Sequence, residues 1–168
     1  MEKDFFEIIR TYRKEQIKDE ELKTVLEAGT YAPTSMGMQS PFIVAVQNEE
    51  LLARLAKMNA DVMGVTSNPY YGAPTYILVL ASTESHNPIC DGSCVLENMM
   101  LAANALGLGT CWIHREREMF ETEEGKQLLK EWGIPENVIG VGALAIGYPD
   151  GEPSPAKPRK EGYYRIIK

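Results

Sequence analysis

Four stretches carry residues whose types and spacing could do chemistry. In Arg10-Thr11-Tyr12-Arg13, two guanidinium groups flank a hydroxyl. An arginine fork matches the oxygens of a phosphate, and threonine adds a donor. Taken alone, the same spacing fits a solvated basic turn better than a site. Lys157-Pro158-Arg159-Lys160 is a second cationic cluster. Clusters from the two chain ends could share a phosphate dianion, but the second fits a solubilising tail equally well. Residues 32–41 read APTSMGMQSP and offer the hydroxyls of Thr34, Ser35 and Ser40, the amide of Gln39, and Gly37. A loop of that composition ahead of a buried strand can present donors to a flat polar ligand, or it can be an ordinary turn. Residues 107–113 read GLGTCWI, where glycines let backbone approach a ligand. That glycine pair closes a helical pattern, whereas the dinucleotide fingerprint opens one, so a Rossmann reading is rejected.

Other candidates weigh less. His86, Cys90, Cys94 and His114 could be imagined as a metal set, but no CxxC pair is present and a helix start separates Cys90 from Cys94. A cysteine nucleophile needs a positioned base, and the chain has only 2 histidines. The carboxylate pairs Glu20-Glu21 and Glu123-Glu124 open helices, where favourable interaction with the helix dipole explains them. No acid/base pair in a polar cleft can be named.

The 168 residues suit one domain, spanning 1–168. A hydrophobic content of 44% argues against disorder. A net charge of −7 disfavours nucleic acid and anionic membrane surfaces, because both need clustered cations. No apolar run approaches the ~20 residues that span a bilayer. The acidic start lacks a signal-peptide core, and 3 cysteines do not make a disulfide framework. The expectation is a soluble, reduced, cytoplasmic protein.

Several elements must position these stretches. Apolar residues at 5, 6, 8 and 9 predict a short helix over residues 4–10, capped by Asp4. A second helix over 19–29 begins with Asp19 as cap. Residues 31–41 form an irregular loop, and 42–46 a buried strand. A helix over 49–59, a loop over 68–74 and a second buried strand over 76–81 follow. The strongest helical pattern covers 91–106, with Asp91 as cap and Gly107 as stop. A short strand over 110–113, a helix from Thr122 to Trp132 and a strand over 138–146 complete the order. Helices and strands mix around one sheet, giving α/β or α+β. The tail ends in Tyr163, Tyr164, Ile166 and Ile167, apolar residues that gain from packing on another subunit.

Taken together, these stretches resemble the nitroreductase family of FMN-dependent oxidoreductases, from about Phe5 to Arg159. Residues 9–13 (IRTYR) resemble the family's R-R-S-x-R. Residues 26–41 (LEAGTYAPTSMGMQSP) resemble its L-E-A-A-x-x-A-P-S-x-x-N-x-Q-P block. Gly72-Ala73-Pro74 precedes an apolar strand as its A-P motif does. Residues 91–112 resemble its long helix and L-G-L-G-T-x-W. Ile146-Gly147-Tyr148-Pro149 and Lys157-Pro158-Arg159 resemble the closing G-Y-P and K-P-R. Each motif is weak alone; five in order carry the resemblance. The chain departs where Ile9 replaces the first Arg, Thr11 replaces Ser, Gly37 replaces Asn, and Ser40 displaces the Pro41-Phe42 pair. Residues 60–71 leave little room for a helical excursion over the substrate, so an open or minimally lidded site is expected.

The resemblance implies a three-layer α+β fold, with a central, mainly antiparallel sheet flanked by helices and a C-terminal tail exchanged between subunits. It implies a homodimer with FMN at the interface. Arg10, Thr11, Arg13, Lys157 and Arg159 would hold phosphate and ribityl oxygens. Pro33, Thr34, Ser35 and Gln39 of the other chain would contact the ring or ribityl. Thr110, Cys111 and Trp112 would lie beside the ring. Hydride would pass from NADH or NADPH to the flavin and on to a nitro, quinone or similar small-molecule acceptor, in ping-pong order and without a dedicated acid. The alternative is a non-catalytic flavin-binding carrier or redox sensor.

Overall fold

The computed structural model describes residues 8–151, 153 and 157–168. Its centre is strand β2 (Thr75–Ser82), whose first seven residues are buried. A continuous run of tyrosine, isoleucine, leucine and valine has no polar face to offer water, so both sides must be covered. Tyr76, Leu78 and Leu80 point into one core, and Ile77, Val79 and Ala81 into another. Each fully buried Leu there contributes roughly 1.5–3 kcal/mol.

The sheet has the order β1-β2-β4-β3, with β1 Pro41–Val46, β3 Gly109–Ile113 and β4 Val138–Gly147. All three pairings are antiparallel. Helices α1 (Asp19–Thr30) and α3 (Pro88–Ala105) cover one face through Val25, Val95, Leu96 and Met99. Helices α2 (Glu49–Met63), α4 (Glu116–Glu121) and α5 (Glu123–Glu131) cover the other through Leu55, Met119, Phe120 and Leu128. The result is the expected three-layer α+β arrangement with an antiparallel centre. No helix of the described residues is long and apolar enough to cross a membrane.

Several expectations need correction. Residues 8–10 are extended rather than helical, and Ile8 forms a parallel bridge to Thr110; Asp4 and the rest of that proposed helix lie outside the described residues. The apolar spacing fits a helix, but Ile9 instead fills the space beside Gly109, where a Cβ would sit 2.7 Å from its side chain. Lys18, not Asp19, caps α1; its N–H donates to Glu21 Oε2 at 3.0 Å. Strand β1 is half-buried, as befits an edge strand. Helix α3 starts three residues before Asp91, at Pro88, a residue suited to a first helical position. Helix α4 was not read from the sequence. The Thr122 cap stands as expected, its hydroxyl accepting from Gly125 N at 3.0 Å. Between α2 and β2 the chain makes turns and no helix.

Candidate functional site

The segment after Ile8 is stitched to two strands. Ile9 N donates to Thr110 O at 2.9 Å, Arg13 N to Tyr148 O at 3.0 Å, and Asp150 N to Thr11 O at 3.0 Å. Side chains repeat the pairing: Thr11 Oγ1 donates to Asp150 O at 2.8 Å, and Arg13 Nε to Pro149 O at 3.2 Å. Arg10, Thr11 and Arg13 are therefore fixed on the sheet end where β4 releases the C-terminal tail. Thr11 also works as a staple between this segment and the residues that follow β4. Lys157 and Arg159 are exposed, and Arg159 lines a cleft of about 580 Å³ formed by the tail itself. Among the described residues, no hydrogen bond or ion pair joins either to Arg10, Thr11 or Arg13.

Arg10 has no carboxylate partner among the described residues. Its guanidinium lies over the Tyr71 ring, 5.7 Å from the centroid, and Tyr71 raises its pKa further above the ordinary arginine value. Tyr71 is carried by a tight turn in which Ala73 N bonds Tyr70 O at 3.1 Å. Both central residues have positive φ, +56° at Tyr71 and +68° at Gly72. Behind Arg10, burial pushes the Cys111 thiol up, against the pull of the cation. A thiol held protonated is a poor nucleophile. Burial raises the Tyr12 phenol as well. Its hydroxyl donates to Ile9 O at 2.6 Å and reaches Ala145 O at 3.1 Å, anchoring the segment. Thr110 is buried; Trp112 is half-buried on the α1/α3 side of the sheet.

The 34–40 loop sits elsewhere. Its hub is Asp91, 3% exposed, in the first turn of α3. Oδ1 accepts from Ser35 N at 2.8 Å and Ser35 Oγ at 3.0 Å; Oδ2 accepts from Ser40 Oγ at 3.2 Å and Ser85 Oγ at 2.6 Å. Burial alone would raise this carboxyl, but the hydrogen bonds from Ser85, Ser35 and Ser40 outweigh it and the pKa falls below the ordinary value. Thr34 Oγ1 accepts from Gln39 N at 3.0 Å. The Thr34 and Ser35 hydroxyls thus shape the loop, while Pro33 and Gln39 are exposed. A slot of about 140 Å³ opens beside Thr34, Gln39, Ile43 and Val95. In the sequence Asp91 fits a helix cap, and its serine partners stand only as hydroxyls in separate segments.

The two groups occupy opposite ends of the sheet. Thr110 is level with Ile146 and Thr75, whereas Ser40 bonds Ser82 and Pro41 pairs with Ala81. The run from Thr75 to Ala81 separates them by about 20 Å at roughly 3.3 Å per residue. Within one chain, the Arg10 end and the Gln39 loop do not meet.

A buried polar network missed from the sequence lies under α4. Glu116, 1% exposed, accepts from the Tyr70 hydroxyl at 2.9 Å through Oε1, while Oε2 has no partner among the described residues. Asn59 donates to His114 O at 2.9 Å and accepts from Arg115 Nε at 2.8 Å. Burial raises the Glu116 carboxyl to about 7, although Tyr70 and Arg115 pull it down.

Fold and site define a class: an α+β protein with helices on both faces of an antiparallel sheet and exposed cations where residues 11–13 pair with residues 148–150. The sequence profile described as the nitroreductase family matches residues 8–70 and 64–148, and the chain belongs to that family. A nitroreductase from Bacteroides fragilis, solved with bound FMN, superposes with a TM-score of 0.88 at 30% identity, covering 96% of this chain and 94% of that one. An Archaeoglobus fulgidus protein named as an NADH dehydrogenase/NAD(P)H nitroreductase is 31% identical over 150 residues, covering 86% of this chain and 81% of its own. An NADPH-flavin oxidoreductase from Vibrio harveyi is 26% identical over 167 residues, covering 90% of this chain and 65% of its own.

Proposed function

We propose that this chain is an FMN-dependent NAD(P)H oxidoreductase that works as a homodimer of single-domain subunits. The observation that carries the reading is the stitched N-terminal segment, which fixes Arg10 and Arg13 as exposed cations beside the root of the tail. Such cations suit a phosphate monoester, and the FMN bound in the Bacteroides relative supplies that group. Family membership and the name of the Vibrio relative support the nicotinamide donor.

The roughly 20 Å between the Arg10 end and the Gln39 loop supports a site assembled from two copies. In that assembly Arg10, Thr11, Arg13, Lys157 and Arg159 bind phosphate and ribityl oxygens. Pro33, Thr34, Ser35 and Gln39 of a second copy approach the ring or ribityl, with Thr110, Cys111 and Trp112 beside the ring. The tail crosses to the second copy and covers Tyr163, Tyr164, Ile166 and Ile167, which are 73–90% exposed in the single chain. When bound, the cofactor supplies hydride acceptance from a nicotinamide and hydride donation to a nitro, quinone or similar acceptor, in ping-pong order. This chain's residues hold and orient it; the buried, protonated Cys111 contributes no nucleophile.

Anaerobic mixing of FMN-reconstituted protein with NADH or NADPH should bleach the flavin absorbance, and an added acceptor should restore it. Absence of bleaching with both nicotinamides defeats the enzyme reading, leaving a flavin carrier. Sedimentation should give twice the mass of one chain; a lone chain that still binds FMN tightly defeats the shared site.

A further inference from the structure

We propose that Asp91 is a positioning residue for the cofactor, its carboxylate latching the 34–40 loop in the shape that presents Gln39 and the loop backbone. This rests on the FMN reading above and adds a residue from outside the loop to it.

The loop is locally unfavourable. Met36 at φ +54° and Gln39 at φ +50° both occupy the left-handed region, on either side of Gly37 at +68°. Side chains with a Cβ leave that region unless their surroundings hold them. Bonds within the loop are few: Gly37 N to Thr34 O, Met38 N to Ser35 O, and Gln39 N to Thr34 Oγ1. Asp91 ties both ends of the loop to the body of the protein, beside the bond from Ser82 N to Ser40 O at 3.1 Å. Its two oxygens receive bonds from Ser35 near one end of the loop, from Ser40 at the other, and from Ser85 in the turn before α3. Asn87 Nδ2 closes the ring by donating to Ser35 Oγ at 3.1 Å. An ionised acceptor makes each bond stronger than a neutral one would be, and burial shields them from water. One end of the latch is the long helix α3; the other is a loop that would otherwise relax. Ser85 supports the latch from outside the loop, bonding Oδ2 at 2.6 Å and accepting from Asn87 N at 3.3 Å.

The test uses full-length protein, with FMN affinity read by fluorescence titration and loop order read by amide hydrogen exchange of residues 33–40 without FMN. Asp91→Ala should speed loop exchange and raise the FMN Kd by about tenfold or more, in line with losing charge-assisted bonds. Asp91→Asn keeps an acceptor for Ser35 N and should restore Kd to within roughly threefold of wild type. Ser40→Ala should loosen the loop and weaken FMN, whereas Leu128→Val, in the core on the other face of the sheet, should lower Tm and leave the FMN Kd unchanged. Wild-type exchange and Kd in Asp91→Ala overturn the proposal. So does a Leu128→Val effect on Kd equal to that of Ser40→Ala, which marks the loss of affinity as a general loss of stability. If Asp91→Ala does not fold, Asp91→Asn and Ser40→Ala decide. If the wild-type chain binds no FMN, the FMN reading fails, and the exchange data alone show whether Asp91 holds the loop.

Discussion

The guanidinium of Arg10 stands over the ring of Tyr71, 5.7 Å from its centroid, and Tyr71 adopts a left-handed backbone at φ +56° to place the ring there. The conformation costs about 1 kcal/mol for a residue with a Cβ, and an exposed cation–π contact returns roughly 0.5–1 kcal/mol. Tyr71→Asn, which tolerates the backbone but offers no ring, should leave stability within about 1 kcal/mol of wild type. FMN affinity should fall about two- to fivefold as Arg10 loses its support. Thermal melting and flavin titration check the two halves; unchanged affinity would show that the ring does not orient Arg10.

Arg10→Ala and Arg159→Ala should each weaken FMN by about 1.5–3 kcal/mol, the cost of a charge-assisted bond to phosphate. The salt dependence of binding should drop in both. Affinity equal to wild type in a titration series would return these arginines to the solvated surface.

Glu116 sets a pH dependence of stability. Its carboxyl titrates near 7 in the folded chain, against an ordinary value of 4.5. Between those values the folded state binds more protons than the unfolded state, so stability falls as pH rises through the window. The cost of the buried charge is present in full above pH 7 and absent below the ordinary value. Glu116→Gln keeps an acceptor for Tyr70 and should be more stable than wild type by about 1–3 kcal/mol at pH 8, with little difference near pH 4. Urea unfolding at several pH values reads the slope; parallel curves for the two proteins would refute it.

Gly109 leaves room for Ile9. A Cβ at position 109 would stand 2.7 Å from the Ile9 Cβ, Cγ1 and Cγ2 atoms. Gly109→Ala should cost about 1–3 kcal/mol by overpacking and weaken FMN by displacing the neighbouring Arg10. Ile9→Ala alone removes buried volume, but combined with Gly109→Ala it should recover part of the loss. A double-mutant cycle showing strict additivity would separate the two residues.

Much of the fold is legible in local pattern. The apolar run of β2, the stripe of α3 and the Thr122 cap all depend on near neighbours in sequence, and the structure follows them. The first segment misled because residues 5, 6, 8 and 9 satisfy helical spacing, while the partner that makes residues 8–10 extended is Thr110, far along the chain. Helix α4 gives no periodic signal, because it is only six residues long and mostly charged. Asp91 resembled a cap because it precedes an apolar stripe; Pro88 starts the helix a turn earlier and frees the carboxylate for Ser35 and Ser40.

By itself, the sequence determined the order of the strands and longer helices, the cationic segments and the family motifs, since periodicity, turn residues and charge act over a few positions. Only the tertiary structure decided that Thr11 staples its segment to Asp150, that Gly109 admits Ile9, and that the Arg10 end and the Gln39 loop face opposite ends of the sheet. Those relations come from strand register and close packing between distant residues, which no local pattern encodes.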